Sequence, residues 1–346
     1  MATTGPVTYD EVDKIEVANL DDASDDGYGT DTKSTSGSST QSIHSSMLDY
    51  EYENGRRYQR GGLVPNDATE QDRLDMQHHL ALLLLNGELC FTDFEGQDPH
   101  NVLDCGTGTG IWALDFGDNH PGSQVIGCDI SPIQPSWVAP NVKFEIDDLN
   151  KEWTWKKESF DFIHSRYIGI GIKDYDYYAQ QIYDALIPGG RVEFGEQEHD
   201  IHSDDDTKAG SFAEAYFTRF VRCIEKAGLS PPTDTLITGA LVKAGFEDVR
   251  VHKIKQPWGP WAKKKDLRHA GHVTAGVAEG GLPAYGLALF TRYDDMQPEE
   301  VKTLCENVIK EVMGRKVHVY NHIMHITARK PAKEKKESQT EVTVEA

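Results

Sequence analysis

A glycine-rich turn behind an aspartate is the feature of this sequence best suited to holding a ligand. Residues 102–110 read Val-Leu-Asp-Cys-Gly-Thr-Gly-Thr-Gly, so that Asp104 is followed by Gly106, Gly108 and Gly110. Glycine lets a backbone pass close to a ligand where any Cβ would collide. Amides at the start of the next helix can then point at a polar group. A tight strand-to-helix turn also needs glycine for structural reasons alone, and this alternative stays open for the turn by itself.

Carboxylates recur where later strands are predicted to end. Asp129 closes the segment 125–129, where dinucleotide folds hold a pair of ribose hydroxyls. Asp147 and Asp148 close a third predicted strand, and a solvated strand end is the alternative interpretation for both. Carboxylates accept hydrogen bonds from hydroxyls and amines, and charge-assisted bonds of this kind are strong. The pattern indicates a ligand that carries both groups.

Alternating elements must bring these residues together. The predicted strands lie within residues 102–105, 125–129, 142–149, 160–166, 186–194, 246–254 and 318–328. The predicted helices lie within residues 65–85, 111–115, 175–186, 211–229, 236–244 and 299–312. This order predicts an α/β fold with a Rossmann-like, seven-stranded, mostly parallel sheet and helices on both faces. Ligands of such sheets bind at the carboxyl ends of the strands.

Other polar and aromatic residues are weaker candidates. His164 ends the fourth predicted strand and is the candidate catalytic base, with a hydrogen-bonded structural histidine as the alternative. Two groups of potential metal ligands occur near the ends of later strands. The first is Glu196, Glu198, His199 and His202, and the second is His318, His322 and His325. Neither group has dependable metal-ligand geometry, so no metal site is expected. Four tryptophans are candidates for an apolar pocket or for core packing: Trp153, Trp155, Trp258 and Trp261.

Composition excludes several classes of protein. The 346 residues carry a formal net charge of −22, which argues against direct nucleic-acid binding because phosphates are neutralised by clustered Lys and Arg. The five cysteines are scattered without a C-x-x-C pair, as in a reducing compartment. No secretory signal and no membrane-length apolar run is found. We therefore expect an intracellular protein of the cytoplasm or nucleus.

The termini differ from the middle of the chain. Residues 1–53 hold 12 acidic and 2 basic residues, and the segment 20–47 is rich in Asp, Ser, Gly and Thr. We expect residues 1–49 and 331–346 to be disordered tails and residues 50–330 to form the folded domain. Deletion of residues 1–47 is then expected to leave stability almost unchanged.

Residues 98–200 resemble the class I S-adenosylmethionine-dependent methyltransferases, motif by motif. The glycine spacing is G-x-G-x-G rather than the G-x-G-x-x-G of nicotinamide enzymes, which makes an oxidoreductase a distant alternative. The resemblance implies that Asp104 and the three glycines cradle the methionine moiety of the cofactor. It also implies that Asp129 binds the ribose hydroxyls and that Asp148, beside the Leu149 backbone, accepts from the adenine amine.

A second resemblance spans about residues 50 to 332. Segments such as 53–58 (Glu-Asn-Gly-Arg-Arg-Tyr), 130–135 (Ile-Ser-Pro-Ile-Gln-Pro) and 257–261 (Pro-Trp-Gly-Pro-Trp) are similar to fungal LaeA-like methyltransferases. This resemblance implies a methyltransferase acting in or regulating fungal secondary metabolism, with a small natural product or a protein as methyl acceptor. A regulatory complex with protein partners is compatible with it. The alternative is a non-catalytic module that binds the cofactor and works through such partners.

Overall fold

The computed structural model describes residues 7–10, 12–18, 50–60 and 62–333. Their strands are β1 Thr8–Tyr9, β2 Tyr50–Glu53, β3 Arg56–Gln59, β4 Asn101–Cys105, β5 Gln124–Asp129, β6 Val142–Ile146, β7 Phe160–Arg166, β8 Leu186–Gln197, β9 His202–Ser203, β10 Glu247–Pro257 and β11 Val319–Arg329. Their helices are α1 Ala68–Leu84, α2 Ile111–Asn119, α3 Tyr175–Ala185, α4 Phe212–Lys226, α5 Asp234–Ala244, α6 Lys265–Tyr293 and α7 Pro298–Met313.

One sheet forms the centre of the molecule, in the order β1-β10-β11-β8-β7-β4-β5-β6. Strands β4 to β8 run parallel to one another within this sheet, and β11 runs antiparallel to both β8 and β10. The predicted Rossmann-like α/β fold is confirmed. The two-residue strands β1 and β9 join the seven predicted ones, which gives nine.

The strand order reverses beside β4, because β5 lies on one side of it and β7 on the other. At such a point the connections leave in opposite directions and open a crevice at the carboxyl ends of the strands. The glycine-rich turn that follows β4 lies there. The strand order alone therefore indicates that the predicted site lies in this crevice beside β4.

Local sequence explains most helix boundaries. The Asp67 side chain caps α1 by accepting from the Glu70 amide, and Gly245 ends α5 with a φ of 100°.

Helix α6 is the main element that the sequence pattern does not indicate. It runs for 29 residues although Pro283 lies inside it, and several glycines dilute its apolar pattern. It packs against α1, α4 and α7, so tertiary contacts hold a segment of weak helix propensity.

The N-terminal boundary differs from its prediction. β1 pairs in parallel with β10, the Ala18 amide donates to the Trp261 carbonyl at 2.9 Å, and Ile15 is 8% exposed. Residues 7–10 and 12–18 thus belong to the folded part, because β10 offers an unpaired edge and Ile15 has an apolar site to fill. The acidic composition that predicts disorder is concentrated further along the chain. Residues 19–49 and 334–346 lie outside the described residues.

The interior is apolar, and the cysteines are part of it. All five cysteines are free thiols, of which four are buried and Cys90 is half-buried. Burial raises the pKa of each thiol, which suits packing rather than nucleophilic chemistry. Over the described residues, no helix is long and apolar enough to cross a membrane.

Candidate functional site

A cleft of about 520 Å³ opens at the carboxyl ends of β4 to β7. Seven residues predicted from the sequence as site residues line it together: Asp104, Gly106, Gly108, Asp129, Asp148, Leu149 and His164. Gly110 lies outside this lining. It precedes α2 with a φ of +85°, and a Cβ there would lie 2.3 Å from the Phe144 ring, so Gly110 serves the packing of the turn.

The two glycines of the lining play different roles. Gly106 has a φ of +70°, and a Cβ on it would lie 2.0 Å from Cγ2 of Ile168. Gly108 has a φ of +58°, but the nearest atom to its Cβ position is Cδ1 of Leu74 at 3.6 Å. Gly106 is therefore needed for packing against the protein itself. The space beside Gly108 is open to a ligand.

Asp129 is fastened by the backbone on both sides. Its Oδ2 accepts from the Gly108 amide at 2.9 Å and its Oδ1 from the Ser131 amide at 2.8 Å. Burial raises the pKa of Asp129, while these two amides oppose the shift. Because each carboxylate oxygen has two lone pairs, the carboxylate can still accept from a ligand hydroxyl.

Asp148 and Leu149 form the far end of the cleft. Asp148 is partly exposed, and its Oδ1 accepts from the Asn150 amide at 3.1 Å. Leu149 is buried at 8% exposure. An acceptor beside an apolar wall suits a flat heterocycle that carries an amine. The neighbouring Asp147 lines the same cleft and accepts from the Asp148 amide at 2.8 Å.

Asp104 and His164 form a buried pair at the base of the cleft. Nδ1 of His164 lies 2.8 Å from Oδ1 of Asp104, whose Oδ2 accepts from the Thr107 hydroxyl at 2.6 Å. The imidazole stacks on Trp112 with ring centroids 3.7 Å apart. Burial lowers the pKa of His164, so the ring is neutral with its proton on Nδ1. Its buried Nε2 has no partner among the described residues and is a free acceptor beside the cleft.

Arg166 is a site residue that the sequence reasoning missed. One of its terminal nitrogens lies 2.7 Å from Nδ1 of His78, and the other, Nη1, is buried without a partner among the described residues. Arg166 lines the cleft, two residues after His164 on the same strand. Because side chains alternate along a strand, His164 and Arg166 share a face. The two-residue spacing from His164, at the end of a strand that leads into the site, is the sequence feature that could have indicated Arg166.

A second, smaller chamber of about 90 Å³ adjoins the cleft. Residues that line both cavities are Gln77, Tyr167, Ile170 and Tyr285. Its remaining wall is mostly apolar and includes the aromatic side chains of Tyr216, Phe217, Phe220 and Trp258. Of the four candidate tryptophans only Trp258 lines this chamber. Trp153 and Trp155 pack against the core beside α3, and Trp261 is buried near Ile15.

Glu196 is the buried acid of that chamber. It is 3% exposed, and its Oε1 accepts from the Ile168 amide at 3.0 Å. Burial raises the pKa of Glu196 to about 8, although the Ile168 and Gly169 amides oppose the shift. A carboxyl group that titrates near neutral pH can hold or receive a proton from a molecule in the chamber. The sequence showed Glu196 at a strand end but gave no measure of its burial.

Comparisons with known proteins agree on the family. A family model described as a methyltransferase domain matches residues 74–251. The chain is 38% identical over 302 residues to "Methyltransferase pytC" of Aspergillus terreus, which covers 85% of this chain and 92% of that protein. It is 32% identical over 291 residues to "Secondary metabolism regulator LAE1" of Cochliobolus heterostrophus, covering 81% and 94%.

Solved structures are more distant. Phosphoethanolamine N-methyltransferase 2 of Haemonchus contortus in complex with S-adenosyl-L-methionine has a TM-score of 0.44 and 20% identity. That match covers 74% of this chain and 52% of the other. A likeness at this level does not inform the site.

Proposed function

The chain belongs to the methyltransferase family that includes the LaeA-like fungal proteins, and on that premise we propose that the cleft binds S-adenosylmethionine and the chamber holds the methyl acceptor. Membership makes the chain an S-adenosylmethionine-dependent methyltransferase, as its sequence predicts. The residues that hold the cofactor, the acceptor and the biological role are the proposed part.

The fit of the cleft to this cofactor rests on two orphaned buried atoms. Nε2 of His164 is an acceptor and Nη1 of Arg166 is a donor, and both residues line the cleft. A buried polar atom without a partner costs about 1–3 kcal/mol, so a ligand that satisfies both is favoured. The methionine end of S-adenosylmethionine carries an ammonium group and a carboxylate, which match these two needs.

The remaining groups of the cofactor find partners along the same cleft. Asp129 accepts from the ribose hydroxyls, and Asp148 with the Leu149 backbone receives the adenine amine. Asp104 adds negative charge beside the ammonium group and holds His164 in its tautomer. The bound cofactor supplies an electrophilic methyl group, and the protein fixes the acceptor in line with it.

The chamber favours a small, largely apolar acceptor. Its mostly apolar wall and small volume suit a ring or short hydrocarbon body, with one polar group facing Glu196. If that group loses a proton on methylation, Glu196 is the residue placed to receive it. His164 lies against Asp104 at the cofactor cleft, outside the chamber, so we assign it to cofactor binding rather than to proton removal.

We place the activity in fungal secondary metabolism, which the name of the regulator from Cochliobolus heterostrophus supports. That name also favours a second candidate function, a regulator with a protein acceptor or with a role through protein partners. Complementation separates the two roles. In a deletion strain, an Asp129→Ala variant that fails to bind cofactor should not restore metabolite production if methyl transfer is required. Full restoration would favour the non-catalytic module.

Calorimetry with S-adenosylmethionine and S-adenosylhomocysteine tests the cofactor site. We expect one site per chain with affinity in the micromolar range, about −8 kcal/mol, and strong loss in Asp129→Ala. Folded protein that shows no binding at millimolar cofactor would contradict the proposal. Methyl transfer from labelled cofactor into an organic extract of the host, rather than into protein, would identify the acceptor class.

A further inference from the structure

Three potential metal ligands converge on the side of the sheet beside β9. They are Oε2 of Glu198, just after β8, Nε2 of His202 on β9 and Nδ1 of His322 on β11, and these atoms all lie within 4.8 Å of one another. The carboxylate oxygen is 2.7 Å from the His322 nitrogen and 3.1 Å from the His202 nitrogen. All three side chains are partly buried, at 22, 33 and 15% exposure respectively.

These separations are close to those of a metal shell. Ligands at about 2.0–2.2 Å from Zn²⁺ in a tetrahedral shell lie about 3.3–3.6 Å apart from one another. The three donors therefore need only small shifts to enclose an ion. Two imidazoles and one carboxylate are also a donor set that catalytic zinc sites use, with further positions left for water.

The backbone holds this arrangement in place. The Glu198 amide donates to the His322 carbonyl at 2.9 Å, and the Asn321 side chain donates to the Glu198 carbonyl at 3.1 Å. His202 pairs with Tyr320 in the β9–β11 ladder. The three ligands are thus carried by elements that are already hydrogen-bonded together, so little conformational entropy is lost when an ion binds.

The charges near the three side chains also allow a cation to bind. Lys255 is the nearby cation described on the adjoining strand, and its ammonium group pairs with Asp204 at 2.8 Å. An imidazole can carry its proton on either ring nitrogen, so each converging nitrogen can serve as a metal ligand.

We propose that Glu198, His202 and His322 form a site for one divalent transition-metal ion of the Zn²⁺ class. Its position gives it a structural consequence. Gln197 and His199, the neighbours of Glu198 in sequence, both line the small chamber, so an ion here fastens the chamber wall to β9 and β11. No metal site is predicted from the sequence because Glu198 is considered there only with residues near it in the chain. The third ligand, His322, comes from the distant strand β11.

Titration of the chelator-treated full-length protein with Zn²⁺, and with Co²⁺ as a spectroscopic probe, tests the site. We expect one ion per chain and a rise in Tm when the metal is added. Bound Co²⁺ should give a visible absorption spectrum typical of low coordination number, and this spectrum should disappear when Zn²⁺ displaces the Co²⁺. Glu198→Gln and His322→Gln should each weaken Zn²⁺ binding at least tenfold. His318→Gln is the matched control, since His318 pairs with Asp205 and lies outside the cluster; it should bind like wild type.

His202→Gln changes the most exposed of the three side chains, so it tests the site even if a substitution at a more buried position prevents folding. Equal Zn²⁺ affinity in His202→Gln, the control and the wild type would mean an adventitious ion only and would overturn the proposal. So would the absence of stoichiometric binding by folded wild-type protein. Affinity for S-adenosylhomocysteine is measured separately, and its outcome does not bear on the metal site.

Discussion

Arg166 donates a hydrogen bond of 2.7 Å to Nδ1 of His78, which fixes the tautomer of that histidine. A guanidinium has no acceptor, so Nδ1 of His78 must accept and its proton lies on Nε2. Nε2 in turn lies 2.9 Å from the carboxylate of Asp115 on α2. This relay from α2 through α1 to β7 holds Arg166 with one nitrogen facing the cleft and available to an anion.

Replacing Arg166 with Met should weaken binding of S-adenosylhomocysteine at least tenfold, about 1.4 kcal/mol. The reason is loss of a charge-assisted bond to the amino-acid carboxylate. Affinity for 5′-methylthioadenosine, which lacks that carboxylate, should change less than threefold. Calorimetry with both ligands measures the difference. Arg222→Met, which removes an exposed guanidinium paired with Asp294, is the control, and equal losses for both ligands would refute the assignment.

Asp129 should contribute more to cofactor affinity than Asp148. Asp129 is held by two amides and in the proposed site would accept from two hydroxyls, so Asp129→Asn should cost roughly ten- to a hundredfold in affinity, about 1.4–2.7 kcal/mol. Asp148 is partly exposed, and the adenine would keep its apolar contacts and the Leu149 backbone, so Asp148→Ala should cost less. Titration of S-adenosylhomocysteine into both variants tests the order. A larger loss for Asp148→Ala would mean that ribose and adenine are placed wrongly.

Gly106 and Gly108 should respond differently to alanine. Gly108→Ala places a methyl group in open space beside the cleft, so affinity should fall strongly while the backbone strain costs about 1 kcal/mol. Gly106→Ala brings a Cβ against Ile168, so both stability and affinity should fall. Thermal unfolding and calorimetry on the same samples separate the two effects. Unchanged affinity in Gly108→Ala would show that this turn is structural only.

Glu196 should make stability depend on pH. Its pKa in the folded protein is about 8, against an ordinary value of 4.5. Its protonated form is favoured by folding, so its contribution to stability is fully present below pH 4.5 and is lost as pH rises through about 8. Relative to Glu196→Gln, the wild type should lose several degrees of Tm between pH 5 and pH 8.5. Parallel Tm profiles of the two proteins over this range would contradict the raised pKa.

Removal of residues 1–18 should destabilise the fold, unlike the expectation from composition. The deletion exposes β10 and empties the site of Ile15, whose burial is worth about 1.5–3 kcal/mol, so Tm should fall by about 5 °C. Deletion of residues 1–6, which keeps β1, is the control and should leave Tm unchanged. Calorimetric unfolding of both proteins provides the comparison. Equal Tm values would mean that the segment contributes nothing measurable.

Sequence patterns predicted the parts of the site that depend on local order. The turn around Gly106 and Gly108 and the acid Asp129 follow from strand–turn–helix chemistry, and the topology then brings them to one cleft. Helix α6 was missed because Pro283 and its glycines weaken the helical pattern. Its contacts with α1 and α7 come from elements far away in the chain.

The unpredicted site residues depend on burial and on pairing across strands. Glu196 was visible as a strand-end acid, but its raised pKa requires the removal of water by aromatic residues of α4 and α6. The grouping of Glu198 with His322 requires the antiparallel register of β8 and β11. Neither relationship is encoded in the spacing of residues along a single segment.

The short strand β1 also affects how much of the sheet edge is open to pairing with another chain. It covers part of the free side of β10, the strand that would otherwise end the sheet. An uncovered edge strand presents backbone donors and acceptors that can pair with another chain and begin aggregation. Val251 and its neighbours on β10 would be exposed in this way if β1 were cleaved or displaced. Proteolysis near the N-terminus would then favour self-association through this edge.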